Sequence, residues 1–368
     1  MIFISLLIFL LYGFLVLRYI LANRRDELKT ISKVESKTVS VVIPYRNEAV
    51  HIKKLTQSLF SQDYPKELLE FIFIDDHSND RSTTILESCC KSIKFECKIL
   101  SLSEETGKKA ALKKGVESSN GEVVLTSDAD CTMGTLWVSS MINCIANPNK
   151  EFLIGPVKLE RGNSIFTALQ QIEFAAVMAC TSGSAILGKP ISCNGANLGF
   201  TRSLYEKVKP YNSNLQVASG DDMFFLFAAK NSLKNSEIAF VSSPDALVKT
   251  QVISSLRGFI SQRIRWVKKS RYFEDWDSKK FGLVLMMMNL LLFTQLMSSL
   301  VFDKLYWLVI LSFFVKYFLD TCLLFSIRRW NPIGNIILKS FYLSLVYPFY
   351  LLSIALLSLL TRSKWKGR

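Results

Sequence analysis

The stretch Val123-Val124-Leu125-Thr126-Ser127-Asp128-Ala129-Asp130, VVLTSDAD, is an apolar run that ends in two carboxylates one residue apart. The run reads as a buried strand. Like charges that close repel, so the pair calls for a compensating cation. The same texture recurs nearby in VSVVIP (39–44), FIFIDD (71–76) and CKILSL (97–102). Helical patterns lie between these runs, at 48–61, 82–94 and 107–118. Continuous apolar strands alternating with helices argue an α/β fold with a parallel sheet covered on both faces. Ligands of such sheets bind beyond the carboxyl ends of the strands. Asp75, Asp76, Asp128 and Asp130 all fall there, which gathers four carboxylates from two strands at one edge.

The rest of the chain has another character. Half of the 368 residues are apolar, and 45 basic against 31 acidic residues leave a formal charge of +14. Both facts fit a protein partly in a membrane, with basic groups facing anionic lipid or a phosphorylated substrate. No recognition-helix or zinc-finger spacing points to nucleic acid. Residues 1–22 are nearly all apolar and long enough to span a bilayer, with Arg18, Arg24 and Arg25 placed at or after the core. A signal peptide has the opposite charge arrangement and a shorter core. The positive-inside rule then keeps the following domain in the cytosol. Apolar stretches return at 283–302, 305–327 and 336–360, the last interrupted by Pro348. A full span there sends the basic run 362–368 outward, against the charge rule, unless Pro348 turns the segment into a hairpin. Lys316 and Asp320, four apart, are placed to pair within the membrane. The expected organisation is a transmembrane helix at 1–22, a linker at 23–37, a cytosolic domain at 38–249, an interfacial region at 250–280, a transmembrane region at 281–361 and a basic tail at 362–368.

Eight cysteines lack paired ligand spacing and read as reduced, buried thiols of a cytosolic domain. With only His51 and His77 present, acid–base chemistry falls to carboxylates. Asp128-Ala129-Asp130 reads either as a strand-end turn or as a site for Mg²⁺ or Mn²⁺, an ion that bridges carboxylates to a diphosphate. Asp75 and Asp76 read as a polar turn or as partners of a nucleoside. ETGKKAALKKG (105–115) lacks the Walker pattern; Lys113 and Lys114 read as a solvated face, whereas Lys108 at the helix start is placed to reach phosphates or the acidic edge. In SGDD (219–222), Ser219 or Asp221 caps a helix, and Asp222, with Asp221 as the alternative, reads as a general base. In QRIRW (262–266), an amphipathic surface helix, Arg263 and Arg265 are candidates to clamp a diphosphate and Trp266 to stack on a sugar or base.

In order and spacing, VVIPYRNE, FIFIDD, GKKAALKKG, DAD, GDD and QRIRW resemble the membrane-embedded family 2 glycosyltransferases, over about residues 38–270. The resemblance implies an inverting core of the nucleotide-sugar-binding type called GT-A. It implies that Pro44, Arg46 and Glu48 line the nucleotide loop, that Asp75 and Asp76 hold the nucleoside, and that Asp128 and Asp130 form the DxD motif with Asp130 the more direct metal ligand. Asp222 falls at the base position. Gln262, Arg265 and Trp266 match the Q-x-x-R-W motif of cellulose, chitin and hyaluronan synthases and of ceramide glucosyltransferases. Asn194, Gly195 and Asn197 sit where relatives shape the acceptor pocket, or form a plain Asn–Gly turn. Two departures stand out: four membrane segments are few for a secretion channel, which a homo-oligomer or secretion partner would complete, and the third acidic motif is GDD.

The expectation is therefore a multi-pass enzyme of the inner or plasma membrane with its catalytic domain in the cytosol. It would move sugar from a nucleotide-diphosphate donor, UDP-linked, to a lipid or a growing polysaccharide. The rival expectation is a non-catalytic scaffold for an active transferase.

Overall fold

The computed structural model describes residues 2–25, 37–91, 93–145, 150–160, 162, 164–212, 220–302 and 306–361. In chain order the elements are α1 (Ile2–Arg25), β1 (Val39–Tyr45), α2 (Ile52–Phe60), β2 (Leu69–Asp75), α3 (Ser82–Cys90), β3 (Glu96–Ser101), α4 (Lys108–Glu117), β4 (Val123–Thr126), β5 (Thr132–Met133), α5 (Trp137–Ile145), β6 (Phe152–Ile154) and β7 (Val157–Leu159). They continue with α6 (Ile165–Ile186), β8 (Leu198–Thr201), α7 (Arg202–Val208), α8 (Asp221–Ser232), β9 (Ile238–Phe240), β10 (Val248–Thr250), α9 (Leu256–Ser270), α10 (Trp276–Ser299), α11 (Tyr306–Ser326) and α12 (Ile336–Leu360). Two compact units result. One comprises Glu27–Lys158 and Ser192–Gln251, the other Met1–Asp26, Leu159–Ile191 and Val252–Arg368.

The first unit is built on a seven-stranded sheet of order β3-β2-β1-β4-β8-β6-β9. Strands β3, β2, β1 and β4 run parallel, as their apolar runs predict, whereas β8 enters antiparallel between β4 and β6. The register pairs Val41 with Phe71 on one side and Leu125 on the other, and β1 is buried along its whole length. Tyr45 pairs with Asp75, so the acidic residues begin where the sheet ends. Helix α4 lies against β1 and β2 through Gly115, where a Cβ would come 2.5 Å from both Ile74 and Val42. That close approach fixes the helix and carries Lys108, its first residue, to the same edge.

Two buried features depart from the sequence reading. Glu70 lies within β2, accepting from the Ser40 hydroxyl (2.6 Å), the Lys98 ammonium (2.8 Å) and the Asn120 amide. Cys90 and Cys97 are joined in a disulfide, which corrects the expectation of reduced thiols throughout. The end of α3 and the start of β3 bring their Cα atoms to 6.2 Å, within bridging range. Cys131 and Cys180 are free and buried as expected.

In the second unit, α1, α10, α11 and α12 are each long and apolar enough to cross a membrane. Helix α12 runs unbroken through Pro348, as the third C-terminal span requires, and the alternative hairpin is not formed. Neighbouring helices make an interior proline tolerable in this setting. Lys316 pairs with Asp320 on α11 as the spacing predicts, and the Tyr12 hydroxyl of α1 donates to the same carboxylate. Helix α6 is closely held to α1: the Asn23 amide donates to the Ala179 carbonyl at 3.1 Å. The tail 362–368 and most of the expected linker lie outside the described residues.

Candidate active site

Two loops follow the parallel strands and interlock. Asn47 donates its amide to the Ser78 hydroxyl (3.0 Å) and accepts the Asn79 amide on its side chain (2.8 Å). Glu48 donates its amide to Ser82 (2.7 Å), and its carbonyl receives the first amides leading into α2. Asn47 and His77 take left-handed backbone angles (φ 55° and 59°), the tight turns that let the loops approach. Pro44 is buried at the end of β1.

The two acids at the end of β2 have separate tasks. Asp75 closes its own turn, accepting the Ser78 amide (2.9 Å) and the Thr83 hydroxyl (3.4 Å). Asp76 accepts the Gly107 amide at the start of α4 (2.9 Å) and lies 3.7 Å from the Arg46 guanidinium. It thereby joins the β1 loop to the helix that carries Lys108.

The cation beside Asp128 is the Lys108 ammonium, which forms an ion pair with its Oδ1. Burial works against the charge of Lys108, but Asp128, Asp221 and Asp222 outweigh it and hold the group above the ordinary lysine range. Asp130 accepts from Thr250 (3.3 Å); burial and the neighbouring Asp128 push its carboxyl up. Among the described residues no three His, Cys, Asp or Glu side chains group as a metal cage.

The segment before β8 brings the third acidic motif to this edge. Ser127 donates to the Ala196 carbonyl (2.8 Å) and Thr126 to that of Gly195 (3.4 Å), so the segment lies along the end of β4. Asn194 accepts the Ala196 amide (3.0 Å), a local turn. Gly195 donates its amide to Asp222 Oδ2 (3.2 Å), and Met223 donates to the other oxygen (2.8 Å). A Cβ on Gly195 would stand 3.3 Å from Lys108 Nζ and 3.5 Å from the Asp222 Cβ. Asp221 and Asp222 occupy the first turn of α8, where the helix dipole favours negative charge. Gly220 takes the cap position, which corrects the expectation that Asp221 caps the helix, and Ser219, the other candidate, lies outside the described residues.

Asn197 has a different place from the one expected. It is fully buried, its amide donating to the Pro156 and Ala246 carbonyls (both 2.8 Å) while its oxygen receives the Trp137 indole (3.0 Å). All of its hydrogen-bonding directions point into the protein, so it positions the segment and does not face an acceptor. Tyr211 was not singled out from the sequence. It is buried, and burial followed by the charge of Asp221 pushes its phenol up. An isolated Tyr in a polar stretch carries no pattern that would have found it.

Gln262, Arg263, Arg265 and Trp266 lie on α9, in the other unit. Arg263 is buried and bidentate on Glu173 of α6, through Nε (3.3 Å) and Nη2 (2.6 Å). That corrects its assignment to a diphosphate, because its charge is already matched inside the protein. Arg265 is half-buried, and burial alone lowers its pKa.

The sheet order, the buried parallel strands and the acidic edge define a nucleotide-sugar-binding fold of the GT-A type. Residues 40–208 match the family described as glycosyl transferase family 2. The fold resembles a mannosyltransferase from Pyrobaculum calidifontis, solved with GDP-Man and Mn²⁺, over 97% of this chain and 98% of that one, with a TM-score of 0.57 at 16% identity. Among curated relatives, the Bacillus subtilis (strain 168) protein named "Probable glycosyltransferase YdaM" is 26% identical over 67% of this chain and 57% of its own. A poly-beta-1,6-N-acetyl-D-glucosamine synthase of Staphylococcus epidermidis is 25% identical over 68% of this chain and 60% of its own. The matches thus span less than two thirds of these relatives' length.

Proposed function

We propose that the protein transfers a sugar, with inversion, from a nucleotide-diphosphate donor to an acceptor at the cytosolic face of a membrane. The observation that carries this reading is the meeting of Asp128, Asp221 and Asp222 around Lys108 at the carboxyl edge of the sheet, with Gly195 among them. A binding scaffold has no use for mutually repelling carboxylates at a ligand edge; a reaction that needs an anchored diphosphate and a base does.

Asp128 and Asp130 are hard oxygen donors one residue apart, and burial followed by the neighbouring Asp128 charge pushes the Asp130 carboxyl up, so a divalent ion there would relieve both. Mg²⁺ or Mn²⁺ held there by one or two carboxylates would take its remaining ligands from phosphate and water and offset the charge of the donor diphosphate. The Arg46 loop and Asp76 support the nucleoside side, and Lys108 supplies a fixed positive charge near the phosphates. Asp222 is held in orientation by the Gly195 and Met223 amides. It takes the proton of an acceptor hydroxyl as the oxygen attacks the anomeric carbon. The bond to the leaving diphosphate breaks on the opposite face, giving inverted product and free nucleotide. Gln262, Arg265 and Trp266 are carried into this reading as donor-binding residues by their motif alone.

The relatives' names favour a polysaccharide acceptor, and the four apolar helices keep a lipid acceptor in the comparison. Nucleotide release in membranes is the test, with a panel of UDP- and GDP-sugars, each with Mg²⁺, Mn²⁺ or chelator. Metal-dependent release from one donor is expected, and product size then separates polymer from glycolipid. Asp222→Asn should lower turnover at least about a hundredfold while donor binding stays within about twofold. Turnover retained in that variant would remove Asp222 as the base.

A further inference from the structure

Arg263 was expected to hold phosphate, yet it is committed to its own unit. Its guanidinium lies between the Phe259 ring (4.4 Å) and the Trp266 ring (4.2 Å). Two of its nitrogens bond Glu173, and Nη1 donates to the Gln262 side chain at 2.5 Å. Tyr350 of α12 donates to the same Glu173 carboxylate (3.0 Å), and its ring stacks on Phe259 (5.6 Å). Arg263 therefore sets the orientation of two neighbours, Gln262 and Trp266, which belong to the motif expected to act on substrate.

Glu173 is not an isolated contact. Phe166, Gln170 and Glu173 follow one another at helical spacing along one face of α6. Phe166 packs edge-on against Phe259 (5.4 Å). Gln170 closes a two-bond ring on the Ile253 backbone, donating at 2.8 Å and accepting at 3.1 Å. Glu173 then grips Arg263. Three successive grips hold the approach to α9 and the helix itself. A buried ion pair of this kind adds little net stability over an apolar pair of the same volume, so stability alone does not account for it. What the pair does provide is a single arrangement, because a planar fork on a carboxylate tolerates little rotation.

We propose that Glu173 and Tyr350 are positioning residues that act through Arg263 to fix Gln262 and Trp266 on α9. The proposal rests on the glycosyl-transfer reading above for its catalytic consequence, though not for its structural one. The contrast with Arg265 is part of it. Among the described residues Arg265 has no ion pair, whereas Arg263 is fully engaged within its own unit.

The test uses the full chain in lipid nanodiscs, comparing wild type with Glu173→Gln, Tyr350→Phe and Arg263→Lys. Hydrogen exchange read by mass spectrometry reports α9 directly. Exchange in peptides from 256–270 should quicken in all three variants, with β1 and β2 unchanged. Nucleotide release should lose about tenfold or more in kcat for Glu173→Gln, with a smaller change in donor KM. Arg263→Lys keeps the charge but not the fork, and it should not restore activity. Should Glu173→Gln fail to fold, Tyr350→Phe removes one hydroxyl and carries the same test. Wild-type kinetics in Glu173→Gln, or unaltered exchange in α9, would overturn the proposal. If wild type itself releases no nucleotide from any donor, the transfer reading fails, and the exchange measurement still judges the clamp.

Discussion

Lys108 and Gly195 show how little space separates the parts of the site. The lysine was expected at phosphates or at the acidic edge, and it is found at the edge, paired with Asp128. A Cβ on Gly195 would stand tightly against that lysine, at 3.3 Å, and in ordinary contact with the Asp222 side chain, at 3.5 Å. The first neighbour is the end of a flexible chain that gives way, so Gly195→Ala should fold. Its cost falls on geometry: the ammonium shifts by a few tenths of an ångström beside the Asp222 carboxylate. A decrease in kcat of about tenfold is expected, with an apparent Tm close to wild type, because catalysis is far more sensitive to such displacements than folding is. Scanning fluorimetry beside nucleotide-release kinetics measures both. A large fall in Tm with kcat preserved would show that Gly195 serves the fold alone.

At the scale of elements, Glu70 on β2 makes a different prediction. Burial raises its pKa, but the Asn120 amide, Lys98 and Ser40 together outweigh that and leave the group below the usual carboxylate range. A depressed folded pKa contributes stability above the unfolded value and loses it as pH falls through the folded value. The apparent Tm should therefore drop between about pH 5 and pH 3, and Glu70→Gln should flatten that limb while costing about 2 kcal/mol near neutrality. An unchanged acid limb in the variant would remove Glu70 as its source. The parallel strands that surround Glu70 were legible in the sequence because continuous apolar runs admit few alternatives. Glu70 itself was not, since one acid at the head of an apolar run looks like its boundary. The antiparallel entry of β8 was hidden for a similar reason: a four-residue strand after NGAN leaves no period to read. The carboxylates were placed correctly because strand ends fix them, whereas Asn197 and Arg263 have roles that depend on what faces them across the fold. The lone Glu173 within an otherwise apolar stretch of α6 was a usable sign of a buried partner.

For the molecule as a whole, contacts between the ends of the apolar helices fix how three of them alternate. The Ser5 hydroxyl near the start of α1 receives the Gln295 amide near the end of α10 (3.2 Å). The Asn23 amide near the end of α1 donates to Ser326 at the end of α11 (3.0 Å). Helices α1 and α11 therefore run in one direction and α10 in the other, as three successive crossings require. Between these ends, Tyr12 of α1 and the Lys316–Asp320 pair of α11 satisfy one another, so neither charge of that pair is left bare in an apolar setting. The turn that follows α11 carries Arg328 and Arg329, and the positive-inside rule assigns such a turn to the cytosol. On that expectation the turn after α10 faces away from the cytosol. Single cysteines at Val301 and Gly334 separate the two sides when cells are treated with a membrane-impermeant maleimide, read above the label taken by the parent chain. Val301→Cys should react in intact cells, and Gly334→Cys only after the membrane is opened. The reverse pattern would place Arg328 and Arg329 outside and with them the turn that follows α11. Equal reaction at both positions would mean that α11 does not cross, and the charge pair with its tyrosine would then need another explanation than the avoidance of a bare charge in lipid.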